Sequence, residues 1–178
     1  PIPLDLLPPG GQLFLSVRVD ALLASSSTRS LIAALDDQLS PLLARISTDA
    51  GQPLEALSQV GVAFYPPTNP GELPRICLRV RLLTPQPLQS IQRGWPETRE
   101  EKVGPHFLLV SGDDRAFYVP NQPLVGASSV SDFSVGPLEL MRDVAELSGA
   151  PGPVTWPMEQ LWRVSDKTSE LSILCAPA

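Results

Sequence analysis

Three arginines alternate along one short stretch, Arg75-Ile76-Cys77-Leu78-Arg79-Val80-Arg81-Leu82. Extended, it turns Arg75, Cys77, Arg79 and Arg81 to one side and Ile76, Leu78, Val80 and Leu82 to the other. Joined by Arg18 from a neighbouring strand, these guanidinium groups could grip a carboxylate, a sulfated sugar or a phosphate bidentately. The competing reading is that each pairs with an acidic neighbour and keeps an open sheet face wet. A net charge of -6 makes that local neutralisation easy.

Other reactive residue types are sparse. His106 is the only histidine, so any Ser-His-Asp or Cys-His arrangement would have to use it, and no nucleophile motif accompanies it. It reads as an ordinary surface residue at the start of a strand. Asp113-Asp114 could be paired carboxylates or calcium ligands. Gly112-Asp113-Asp114-Arg115 nevertheless lacks the alternating oxygens and terminal Glu of a calcium loop, and suits a hairpin corner. One His with two distant cysteines, Cys77 and Cys175, makes no ordinary zinc site. Those cysteines read as small hydrophobes in strands, with a single disulfide as the alternative. No glycine-rich phosphate loop follows a strand, so no cofactor is expected and no catalytic residue is assigned.

Composition narrows the rest. A sequence pI near 4.7 and only two lysines, Lys102 and Lys167, argue against a nucleic-acid partner, which needs clustered cations. No run approaches the ~20 apolar residues of a membrane helix, so no transmembrane segment is expected. At 178 residues with 43% hydrophobic residues, the chain suits one domain with a core of its own. The 21 prolines cluster between apolar runs and act as punctuation.

The elements that must carry these residues follow from periodicity. Residues 1–11 read as an extended arm, and residues 12–178 as the single domain. Leu13 to Val19 alternates as a strand, with Leu13, Leu15, Val17 and Val19 on one face. Hydroxyls of Ser25 to Thr28 suit a helix start, and Leu31, Leu35, Leu39, Leu42 and Ile46, widened by Ile32 and Leu43, form its stripe. Pro41 should kink that helix or begin a second one, and Gly51 should stop it. Strands are expected at 60–65 and 75–82, a helix at 84–93 and a mobile surface loop at 95–105. From His106 to Ala127, three apolar runs divided by polar corners read as a β-meander around which the rest is organised. Helices at 137–147 and 158–166 and a strand at 171–175 complete the chain.

The fold class expected is therefore α+β, a mainly antiparallel sheet with helices packed on one face. Its first six elements match the β-α-β-β-α-β order of a ferredoxin-like split unit, extended by further strands and helices. Leu22 to Ser27 and Leu124 to Ser129 are weakly alike, each taking the chain from a strand towards a helix.

Leu6-Leu7-Pro8-Pro9-Gly10, Val17-Arg18-Val19-Asp20, Val60-Gly61-Val62-Ala63-Phe64 and the stretch from Asp113 to Pro120 together resemble uncharacterised exported bacterial domains. The resemblance implies a place in the periplasm or cell envelope and no known activity, so it transfers no functional residues. The function expected is a non-enzymatic interaction or structural domain that binds a protein or another envelope component. The alternatives are an anion or acidic-glycan module using Arg18, Arg75, Arg79 and Arg81, and a hydrolase with a dispersed site.

Overall fold

Eight strands form one continuous antiparallel sheet, in the spatial order β4-β5-β6-β7-β3-β2-β1-β8. The computed structural model describes residues 2–26, 36–120, 129–166 and 169–175, and of residues 36–39 and 42 the backbone only. The strands are β1 (Leu13–Val17), β2 (Leu57–Tyr65), β3 (Arg75–Pro87), β4 (Thr98–Val103), β5 (His106–Ser111), β6 (Arg115–Tyr118), β7 (Ser129–Pro137) and β8 (Leu171–Cys175). The helices are α1 (Val19–Ala24), α2 (Asp36–Ala50), α3 (Leu88–Gln92), α4 (Leu138–Glu146) and α5 (Trp156–Val164).

The α+β class and the antiparallel sheet are as the sequence predicts, and two finer expectations are corrected. A ferredoxin-like split unit would insert β3, antiparallel, between β1 and β2, leaving β1 and β2 parallel and apart. Here β1 pairs antiparallel with β2 and β8, while β3 lies between β2 and β7. Element order could not distinguish the two, because the long helical connection from β1 to β2 permits either direction of return.

The helices also do not share one face. Alternate residues of the central strands feed two separate cores: Ala63, Cys77, Leu108 and Tyr118 on one side, Val62, Leu78, Leu109 and Phe117 on the other. The first core is roofed by the N-terminal arm, α4 and α5. Over the second lie Val19 of α1, Ile46 and Ala50 of α2, and Ile91 of α3. Burial on both faces explains the unbroken apolar runs at 107–110 and 116–119, since such strands have no polar side to show.

Residues 2–11 are a strap within the core. Ile2, Leu4, Leu6 and Leu7 are buried. The indole of Trp162 and the phenol of Tyr65 donate to the carbonyls of Ile2 and Pro8, at 2.6 and 2.7 Å, and the Ile2 amide donates to Ser165 Oγ at 2.9 Å. On the opposite side, Trp95 stacks on Phe117 with centroids 4.2 Å apart, meets Phe133 edge-on, and donates from Nε1 to the Ala50 carbonyl at 2.9 Å. Those contacts fix the end of α2 over the sheet, where Gly51 and Gly94 touch backbone to backbone. A Cβ on Gly94 would lie 1.8 Å from the Gly51 carbonyl oxygen.

Other boundaries move for local reasons. The first strand stops at Val17, and Val19 opens α1, whose Ala21 amide is bonded by the Asp20 carboxylate. Pro41 lies inside α2 without ending it. β3 continues through a bulge to Pro87, leaving only 88–92 helical of the helix expected at 84–93. The expected loop at 95–105 contains β4, whose charges hid it: Arg99, Glu100, Glu101 and Lys102 suit an outer strand. The approach to α4 is likewise a strand, β7. Ser27, Thr28, Leu31, Ile32 and Leu35 of the predicted helix, the run from Leu124 to Ala127 and Lys167 lie outside the described residues, as do the Leu39 and Leu42 side chains.

Candidate functional site

The arginines of the β3 stripe all face the strap side, and carboxylates meet them there. Arg75 pairs with Glu139 at the start of α4. Arg79 is 1% exposed and holds Asp5 of the strap at 2.9 Å and Asp132 of β7 at 3.0 Å. Arg81 shares Asp132 at 2.8 Å. Arg18 sits apart, before α1, with Asp20 at 3.9 Å. Gly61, opposite Arg79 in the ladder, leaves room for its side chain, since a Cβ there would already be 3.4 Å from Arg79 Cβ. Neutralisation by acidic neighbours is thus what the geometry provides for Arg75, Arg79 and Arg81, and the strap is pinned through one of them.

His106 and Cys77 are equally occupied by structure. His106 Nε2 meets Ser148 Oγ at 2.8 Å, and its ring lies edge-on to Tyr118. Ser148 ends α4 with a positive φ of 55°, so the pair ties β5 to that helix end. Cys77 and Cys175 are free thiols, the first buried and the second exposed. Burial pushes the Cys77 thiol and the Tyr65 phenol well above their ordinary pKa ranges, which suits packing and opposes thiolate chemistry. Among the described residues, no group of His, Cys, Asp or Glu could hold a metal ion. No described helix is long and apolar enough to cross a membrane.

The recess worth attention is on the other face. A cavity of about 560 Å³ opens between α2 and the ends of β2, β3 and β7. Its floor is apolar: Val62 and Phe64 from β2, Ile76 and Leu78 from β3, and Val135 from β7. Ile46 of α2 overhangs it, and Leu73 and Pro74 form an outer lip. Cross-strand register makes this floor, because Val62, Leu78 and Val135 are successive partners across three strands. Ile76 is 44% exposed and Leu73 87%, so α2 leaves this end of the sheet uncovered.

Its rim is a chain of alternating charges. Arg45 donates to Asp49 at 2.6 Å one turn along α2, Arg115 donates to the other Asp49 oxygen at 3.0 Å, and Arg115 Nε donates to Asp113 at 2.7 Å. The Ser111 hydroxyl also donates to Asp113. That bond, with Arg115 beside it, holds the Asp113 carboxyl below the ordinary carboxylate range. Asp49 raises the Arg45 pKa in the same way, chiefly through their hydrogen bond.

Asp114 turns outward with a positive φ of 60°, and its carbonyl accepts from the first amide of α4 at 2.9 Å. The Asp113-Asp114-Arg115 corner is therefore a turn, as its composition suggests, and also one wall of the cavity. Among the described residues, no hydroxyl, thiol or imidazole lines the recess. Apolar contact and charge are what it offers a ligand.

No family model, curated protein or solved structure matches the chain. The site must be read from its own geometry. Sequence reasoning stopped at the turn in Asp113-Asp114-Arg115, and it missed Arg45, Asp49, Phe64 and Ile76 as a group. One usable signal existed. Arg45 and Asp49 fall one turn apart beside Ile46, which puts an ion pair next to the apolar stripe of α2.

Proposed function

We propose that this is a non-enzymatic interaction domain whose cavity takes an apolar side chain of a partner protein, with a basic residue of that partner resting on the rim. The carrying observation is a recess of about 560 Å³ with an apolar floor, an ion-paired rim and, among the described residues, no nucleophile or imidazole in its lining. Burial of one large apolar side chain is worth about 1.5–3 kcal/mol, enough to anchor a segment when flanking contacts orient it. A basic flank is favoured because no cation among the described residues pairs with Asp114, and the chain as a whole carries -6.

Two further points support binding over catalysis. Asp49 and Asp113 are both held in ion pairs, and Asp113 is shifted down, where a general acid would need its pKa raised. The arginines proposed for anion binding face carboxylates of the same chain. Work outside the cytoplasm is part of the proposal. Its support is the likeness to exported bacterial domains.

Selection from a displayed peptide library on the immobilised chain tests the reading. Enriched peptides should carry an aliphatic or aromatic anchor beside Lys or Arg. Ile76→Trp, which fills the cavity from a half-exposed position, should abolish their binding while leaving the melting temperature nearly unchanged. Peptides that bind Ile76→Trp as well as wild type would overturn it.

A further inference from the structure

The two borders of the sheet are built differently. β4 presents Arg99, Glu100, Glu101 and Lys102 across its six residues, the charged dress that keeps an outer strand from pairing with another chain. β8, Leu171-Ser172-Ile173-Leu174-Cys175, has no charge at all. Among the described residues nothing pairs with its outer side. Leu171 and Ile173 are 55% and 61% exposed, and Cys175 is exposed as well. Beside β8 packs α5, where Leu161 and Val164 are also largely exposed. Large exposed hydrophobics thus gather at this one border.

We propose that β8 pairs with β8 of a second copy of this chain, antiparallel about a two-fold axis, so that two eight-stranded sheets become one of sixteen. Three features select a second copy as the occupant. An uncharged strand meets its own image without like-charge repulsion, whereas a two-fold pairing of β4 centred on Glu100 or Glu101 would set that carboxylate against its own copy. All seven strand pairings within the sheet are antiparallel, and a two-fold axis perpendicular to the sheet continues that pattern. A five-residue ladder alone falls short of the ~1,000 Å² that a specific interface buries, and the exposed side chains of α5 extend it.

The register follows from symmetry. Antiparallel pairing of a strand with itself matches residue i with 2c − i, and only c at Ile173 overlaps all five residues. Ile173 then faces its own copy, and Leu171 faces Cys175 of the second chain. Faces are preserved: Leu171, Ile173 and Cys175 continue the α2 side through Val17, Leu15 and Leu13, while Leu174 continues the strap side.

Sedimentation of the 178-residue chain in reductant tests the proposal. Wild type should show a reversible dimer with a dissociation constant on the order of 10 µM. Ile173→Lys, at an exposed position, should weaken it at least about tenfold by setting two ammonium groups face to face. Ile173→Cys combined with Cys175→Ser should give a covalent dimer on mild oxidation, because directly opposed strand residues lie within disulfide reach. Cys175 of wild type should not cross-link with its own copy at a comparable rate. A wild-type monomer at about 100 µM, or a dimer unaffected by Ile173→Lys, overturns the proposal. So does protection of the β8 edge by an added foreign strand peptide with no self-association.

Discussion

The two faces of the sheet bury similar side chains and end up in different states. On the strap side, ten N-terminal residues and two helices close over the strands, and the arginines that face inward meet carboxylates. On the α2 side, the described helices close over one end only, and Ile76 and Leu73 are left beside a cavity. The difference separates two uses of charge. Beneath the strap, ion pairs permit burial. Around the cavity, they hold an opening in shape.

The largest expected effect tests the first use. Removing both carboxylates with Asp5→Ala and Asp132→Ala leaves Arg79 buried without compensation and should cost about 3–5 kcal/mol in denaturant unfolding. A loss below about 1 kcal/mol would mean that Arg79 reaches water and does not pin the strap.

Next comes a paired truncation. Met141→Ala, fully buried beneath the strap, should cost about 2–5 kcal/mol. Ile76→Ala at the cavity should cost under about 1 kcal/mol, since much of that side chain already meets water. Equal losses would erase the contrast between a closed face and an open one.

Smallest is a pair of opposite pH responses. Asp113 on the cavity rim is shifted down, first by the Ser111 hydrogen bond and then by Arg115. Its contribution is present above the ordinary carboxylate pKa and lost as pH falls through the folded value. Asp143 on α4 is shifted up by burial, then by Glu146 and Glu139. It favours the fold while protonated, and that advantage is lost as pH rises through its folded value. At pH 7, Asp113→Asn should therefore lower the free energy of urea unfolding and Asp143→Asn should raise it, each by less than about 1 kcal/mol after solvent screening. Both differences should shrink as the solution is acidified. Shifts of the same sign would show that the local charges do not act as described.

How far the sequence disclosed this arrangement varies with the kind of signal. The alternation at 13–17 and 75–82 carries its own evidence, because side-chain period marks a strand wherever one face is polar. Strand neighbours are set by long-range pairing, which leaves no local mark, so β1 beside β2 was not legible. Charged β4 was hidden for a different reason: an outer strand is solvated, and its composition imitates a loop. The apolar strap was obscured by Pro3, Pro8 and Pro9, which suggested only an extended arm leading into the fold. The cavity was least legible of all, since it arises where a helix fails to cover strands that only the register brings together.

The strap also sets the order of events during synthesis. Ile2 is held by Trp162 and Ser165, contacts that span about nine-tenths of the chain. On a ribosome, Ile2 must wait for these partners until a further 160 or so residues have emerged, and such distant pairings form slowly. Until then the strap side of β2 and β3, including Cys77 and the basic row beside it, has no lid. A chaperone would meet the molecule in that open form, before Trp162 and Ser165 hold Ile2.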